Sequence, residues 1–346
     1  MEKNYTLPYL VFLFSGQGSF IKKLPFQLFE KETIFKSSII EIDEIFYEYY
    51  GYSMLKKYEK IEKEDWKSFL EQHFIHCISF MFQVSIYRLY KHYGLKPDLI
   101  VGLSLGEIAS AHCSGLIDLK TACYISYKRA CAMTKLENKT LKKIVNIKKP
   151  EQYYWDILLP NFPSIELNGS IEYGIIMVAG NDNDMEKLID FLIKNDIPHS
   201  EKECLINFHT SQVDTIKNDL EQLSFQSYEP TIPILSCSTA KFYNKESQDF
   251  TPSFLFNIAR SPVFLFKTTK AIYEKNNICS NEKRPISTIE ISPQMYVLPS
   301  IKNNIKQLSK ENNDNLDHQF FTTICQDHKS DFFQFNSSLI KTFGNQ

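Results

Sequence analysis

Glycine is scarce in this chain: 11 in 346 residues, so each glycine pair stands out. Charge imbalance is lacking as well. The formal net charge of -2 gives no global pull toward nucleic acid or an anionic membrane surface. Long apolar runs are missing near the start, where Tyr9 to Phe14 gives only six residues, too few for a signal core or a membrane span. The eight cysteines form no C-x-x-C pair, and although Cys77 adjoins His76 and Cys113 adjoins His112, no second ligand stands at zinc spacing. That pattern excludes a zinc ligand set and fits reduced, mostly buried thiols of a cytoplasmic protein. No metal is expected. What the chain does have is ordinary globular composition, 43% hydrophobic and 23% charged, with 27 Phe and 19 Tyr to fill a large core.

Apolar runs and periodicity predict an α/β protein. Strands are expected at Tyr9–Phe14, Leu99–Val101, Ile144–Ile147, Ile175–Val178, Cys204–Phe208, Ile232–Ser236 and Ser287–Ile291. Helices are expected at Thr33–Tyr49, Phe74–Tyr93, Leu119–Lys135, Asp182–Asn195, Val213–Leu223 and Thr268–Lys275, and near Tyr296–Leu308. Phe254–Phe256 leads into a turn at Ser261-Pro262. A last strand and helix follow Phe320. The strand-helix-strand-helix-strand order from Ile144 to Phe208 reads as a ferredoxin-like insert. The boundaries are residues 138–206 for the small subdomain, and 1–137 with 207–346 for a hydrolase-like large subdomain with a parallel sheet.

The scarce glycines draw attention to "LIVGLSLGEIASA". Gly102-Leu103-Ser104-Leu105-Gly106 joins a short apolar strand to a helix-forming run, the G-x-S-x-G pattern of a nucleophile elbow. A serine hydroxyl is a weak nucleophile and needs a base to accept its proton and donors to hold an oxyanion. A sharp strand-to-helix turn lifts the side chain into the open, and the helix N-terminus behind it offers free N–H groups, that of Leu105 first. Of eight histidines, His209 stands out because it follows the apolar run "CLINF". His112 is two helical turns past Ser104, too far to take its proton. No acid is evident between Ser104 and His209 to complete a hydrolase triad.

Five blocks, "FSGQGS" (Phe14–Ser19), "GLSLGE" (Gly102–Glu107), "KRACAM" (Lys128–Met133), "NFHT" (Asn207–Thr210) and "EISPQMYVL" (Glu290–Leu298), occur in that order. Together they resemble the conserved blocks of malonyl-CoA:acyl-carrier-protein transacylases and of the acyltransferase domains of polyketide synthases. The resemblance spans about residues 9–310. It implies a ping-pong acyl transfer in polyketide or fatty acid biosynthesis by a stand-alone, trans-acting enzyme. Malonyl-CoA would be the substrate, the phosphopantetheine thiol of an acyl carrier protein the acceptor, and no bound cofactor would be needed. By the same resemblance Ser104 is the nucleophile and His209 the general base and acid. The amides of Gln17 and Leu105 form the oxyanion hole, and Arg129 clamps the free carboxylate of the acyl group. A main-chain carbonyl around Asn257–Ile258 orients His209, which accounts for the missing acid.

Departures from the family pattern bear on specificity. Leu103 replaces the usual histidine before the serine, and His76 sits where a glutamine usually lines the pocket. Ile171 or a neighbour falls where an asparagine is common, and Asn207 and Thr210 replace Ala and Ser around His209. Ser292 replaces a glycine. Phe208 matches the residue that accompanies malonyl preference. The alternative function is a trans-acting acyl hydrolase that clears carrier proteins. Members of that type typically lack the arginine.

Overall fold

A computed structural model describes residues 7–19, 25–61, 71–137, 142–204, 206–243, 250–279, 284–315, 317–323 and 331–344. Nine strands occur in these segments: β1 (Tyr9–Phe14), β2 (Leu99–Gly102), β3 (Lys142–Ile147), β4 (Glu166–Glu172), β5 (Ile175–Ala179), β6 (His199–Cys204), β7 (Ile234–Ser236), β8 (Ile286–Ile291) and β9 (Gln319–Thr322). They build two sheets, a parallel one in the order β7-β2-β1-β8-β9 and an antiparallel one in the order β4-β5-β3-β6.

β1 is buried along its whole length, as a central parallel strand covered by helices on both faces must be. Leu10, Phe12 and Phe14 pack on one side into the core under helices Thr33–Tyr50 and Gln72–His92. Tyr9, Val11 and Leu13 point the other way, toward Ile272, Ile301 and Ile305 of helices Leu265–Cys279 and Leu298–Glu311. The chain winds from β1 to β2 and β7 on one side, then to β8 and β9 on the other. The crevice beyond the carboxyl ends of β1, β2 and β8 lies at this switch of direction, where open α/β sheets bind ligands.

The antiparallel sheet has the ferredoxin-like βαββαβ connection. One face packs Val145, Ile147, Ile176 and Val178 against Leu188 and Leu192 of helix Asp182–Lys194 and against Tyr154 and Leu158. β4, "ELNGSIE", is a strand that the hydrophobic pattern does not announce. Its glycine, its polar residues and two register shifts against β5 break the alternation by which a strand is read.

Two other expectations are corrected. The strand is His199–Cys204 rather than Cys204–Phe208, and the chain turns at Asn207–Thr210. β6 is an edge strand and therefore mostly polar, whereas the apolar run after it buries Ile206 against Met133, Leu136 and Val213. The turn expected after Phe256 follows a nine-residue helix, Pro252–Arg260. Thr251 caps that helix by accepting from the Phe254 amide (3.2 Å), and Pro252 occupies its first turn.

Candidate active site

Ser104 sits between β2 and helix Gly106–Cys113 with φ +51°, in the left-handed region that a non-glycine residue seldom occupies. The bend is enforced by close backbone approach. A Cβ on Gly106 would stand 2.2 Å from the carbonyl oxygen of Phe14, and one on Gly102 would stand 2.7 Å from the Cα of Glu107. The Leu103 amide donates to Phe14 O (3.0 Å), tying the elbow to the end of β1.

Behind the elbow, Glu107 is fully buried and accepts from the Ser238 hydroxyl (2.6 Å) and the Tyr243 hydroxyl (3.0 Å). Burial pushes its carboxyl up to about 7, against the pull of those hydrogen bonds. The elbow helix is thereby fastened to the segment following β7. Glu290, at the end of β8, does the same for the facing loop. It accepts from the Ser15 hydroxyl and from the amides of Tyr296, Val297 and Leu298 at 3.0–3.1 Å. Gln83 donates to Ser15 O (2.7 Å) from the buried helix beneath. This network sets the path of Ser15–Gly18. The amides of Gln17 and Leu105 donate to no other described residue, so both remain available to a ligand oxygen.

His209 lies in the Asn207–Thr210 turn, also at positive φ (+62°). Its own amide donates to Ala259 O (2.9 Å), and its Nδ1 donates to Ser261 O (2.7 Å). The orienting carbonyl is therefore Ser261, not Asn257 or Ile258. Asn257 and Ile258 lie inside helix Pro252–Arg260, and the Asn257 carbonyl accepts from the Ser261 amide (2.8 Å). Ser261 is extended, which turns its carbonyl out of the helical ladder and toward the imidazole. With Nδ1 carrying the proton, Nε2 is the free lone pair. Burial, with the Arg129 charge adding to it, lowers the imidazole to about 4, so it is neutral at pH 7.

Ser104 and His209 line one cavity of about 210 Å³, together with Gln17, Leu103, Arg129 and Phe208. Leu105 lies outside that lining and is buried in the core beneath, offering only its amide. Arg129 projects from helix Leu119–Thr134 and is 2% exposed. Among the described residues no carboxylate comes within 4.0 Å of it, and its Nε has no hydrogen-bond partner. Burial brings the guanidinium down to about 10, partly offset by the Glu107 charge.

His76 does not line the cavity. It is fully buried behind Arg129, and its Nε2 accepts from Arg129 Nη1 (3.3 Å). A neutral imidazole is required there, and burial beside Arg129 holds its basicity well below the ordinary histidine value. His112 closes its own loop, pairing with Ile117 O at 3.1 Å. Ile171 lines the cavity, and so does an asparagine three residues earlier, Asn168, which donates to Phe208 O (2.5 Å). Asn168 escaped the sequence reading because β4 did. Ser261 escaped it because the helix before it did. A Thr-Pro cap at Thr251-Pro252 was the signal that could have found the second.

The parallel sheet, the elbow and the cavity between the two sheets define a class of α/β protein with a serine and a neutral histidine facing the same space. The acyl transferase domain family model matches residues 11–343, and the chain belongs to that family. Among similar proteins are probable polyketide synthases of Dictyostelium discoideum. Synthase 32 is 32% identical over 85% of this chain, and synthase 39 is 34% identical over 83% of it. These matches cover 10% and 9% of those proteins, so the chain spans about a tenth of their length. The fold is that of solved acyltransferases. The acyltransferase domain from the second module of the salinomycin polyketide synthase superposes with a TM-score of 0.81 at 18% identity, covering 99% of this chain and 75% of that one. MCAT from Streptococcus pneumoniae superposes with a TM-score of 0.73 at 20% identity, covering 96% and 99%.

Proposed function

We propose that the protein transfers a malonyl group from coenzyme A to the phosphopantetheine thiol of an acyl carrier protein through an acyl-Ser104 ester. The observation that carries this reading is Arg129, a buried guanidinium without a carboxylate partner, facing the cavity shared by Ser104 and His209. An unpaired buried charge is costly, and a carboxylate on the incoming acyl group would satisfy it in two parallel charge-assisted bonds.

The chemistry follows from the residues in place. His209 Nε2 takes the Ser104 proton as Oγ attacks the thioester carbonyl. The oxyanion forms against the amides of Gln17 and Leu105. As the C–S bond breaks, the imidazolium returns its proton to the leaving thiolate. In the second half the carrier thiol loses its proton to His209 and attacks the ester, and Ser104 Oγ leaves with that proton. Ser261 needs only its carbonyl to keep Nε2 facing inward, so no acidic third member is required. Phe208 on the cavity wall leaves little room for an α-methyl branch, which disfavours methylmalonyl by about 1–3 kcal/mol. Arg129 also weighs against the hydrolase alternative, which has no use for a carboxylate clamp.

The test is a panel of malonyl-, methylmalonyl- and acetyl-CoA offered to the purified chain with and without a loaded-ready carrier protein. Fast malonyl loading followed by transfer to the carrier supports the reading. Release of free acid faster than transfer supports hydrolysis instead.

A further inference from the structure

Among the described residues, the cavity that holds Ser104 and His209 is lined by two cations and by no carboxylate. Arg129 is the inner one. The other is Lys202, at the exposed centre of edge strand β6. Strand alternation explains its direction. Glu201 pairs opposite Val145 on the helix-covered face, so Lys202, opposite Ile144, projects from the other face, where Ile144 and Met177 also line the cavity. The neighbouring lysines of the same sheet are neutralised, Lys142 by Asp182 (2.8 Å) and Lys143 by Glu201 (3.0 Å). Among the described residues no carboxylate lies within 4.0 Å of Lys202.

A cavity with a buried cation, a nucleophile and an exposed cation, and nothing negative between them, suits a ligand that is anionic at both ends. The acyl-transfer reading, on which this inference rests, supplies such a ligand. Its inner end is the acyl carboxylate, its reactive centre is the thioester, and its outer end is the phosphate that terminates the pantetheine arm. We infer that Lys202 binds this phosphate, with the arm laid across Ile144 and Met177. An ammonium on a flexible stem suits the role, because it can meet either the diphosphate of coenzyme A or the phosphodiester of a carrier protein as a point charge. Lys202 thus acts on substrate capture rather than on the chemical step, and its contribution weakens with salt.

The experiment compares thioesters with and without phosphate on the 346-residue chain. Initial rates of loading are measured with malonyl-CoA and with malonyl-pantetheine, and transfer is measured onto carrier-bound phosphopantetheine and onto free pantetheine. Lys202→Gln should lower kcat/KM for a phosphate-bearing partner about fivefold, and Lys202→Glu about twentyfold, with both phosphate-free reactions within about twofold of wild type. Loss confined to malonyl-CoA assigns the contact to coenzyme A, and loss confined to the carrier assigns it to the carrier arm. Equal loss with and without phosphate, or no loss at all, overturns the inference. A wild-type chain that loads from neither thioester would defeat the acyl-transfer reading and this inference together, whereas loading indifferent to Lys202 would defeat this inference alone.

Discussion

His209 donates its Nδ1 proton to the carbonyl of Ser261 across 2.7 Å, and this one bond leaves Nε2 as the lone pair facing the cavity. The carbonyl comes from the residue just past helix Pro252–Arg260, so the length of that helix sets the orientation of the imidazole.

The first prediction concerns pH. Burial and the nearby Arg129 charge lower His209 to about 4, below the ordinary value of 6.5. The acid limb of kcat/KM for Ser104 loading should therefore have its midpoint nearer 4 than 6.5, as read by rapid-quench loading across that range. The unfolded chain binds the proton that the native imidazole refuses. The stabilising effect of His209 is then complete above 6.5 and is lost as pH falls toward 4. A loading midpoint at or above 6.5 would show that His209 is not buried as the base.

Arg129→Ala should separate charge recognition from catalysis. Loss of the clamp should lower malonyl loading by about 100-fold, the worth of roughly 3 kcal/mol of charge-assisted bonding. Acetyl loading should fall far less. Arg129→Met should not lower the melting temperature, because it removes a buried charge that lacks a carboxylate partner. Equal losses for malonyl and acetyl would refute the clamp.

Gly106→Ala tests the elbow. The added methyl would stand 2.2 Å from Phe14 O and 2.6 Å from Phe14 C, against backbone that cannot rotate away. A loss of about 1–3 kcal/mol in urea unfolding is expected, together with slower loading. A variant as stable and as active as wild type would show that the strand-to-helix bend is looser than described.

Glu290→Ala tests the loop that carries Gln17. It strands the Ser15 hydroxyl and three amides, which should cost about 3 kcal/mol or more and slow loading of the protein that still folds. Calorimetry with loading kinetics checks both. Loading at the wild-type rate would mean that Gln17 is positioned by other contacts.

Much of this architecture was legible in the residues, for reasons that can be named. β1 is a continuous apolar run because both of its faces are covered, and the long helix Gln72–His92 stops just before Gly94, which takes φ +87°. The elbow was readable because two glycines in a glycine-poor chain flank one serine. Less readable were features set by tertiary contact. β4 is held by partners rather than by its own pattern. β6 is polar because it is an edge, and the apolar run after it mimics a strand while serving as a plug. The family resemblance puts His76 where a glutamine usually lines the pocket, outside any of the five blocks. Its place behind Arg129 follows from the packing of two helices, which no spacing encodes. Glu290 lay inside a recognised block, but its grip on Ser15 depends on strands far apart in sequence being neighbours.

The central claim is that Ser104 becomes covalently acylated with His209 as its base. The most direct measurement is mass spectrometry of the chain after brief exposure to malonyl-CoA, with the adduct located by proteolysis. One malonyl group per chain on the peptide bearing Ser104, absent in Ser104→Ala and strongly slowed in His209→Ala, is the predicted result. An adduct on another residue, or one that survives Ser104→Ala undiminished, would contradict the account.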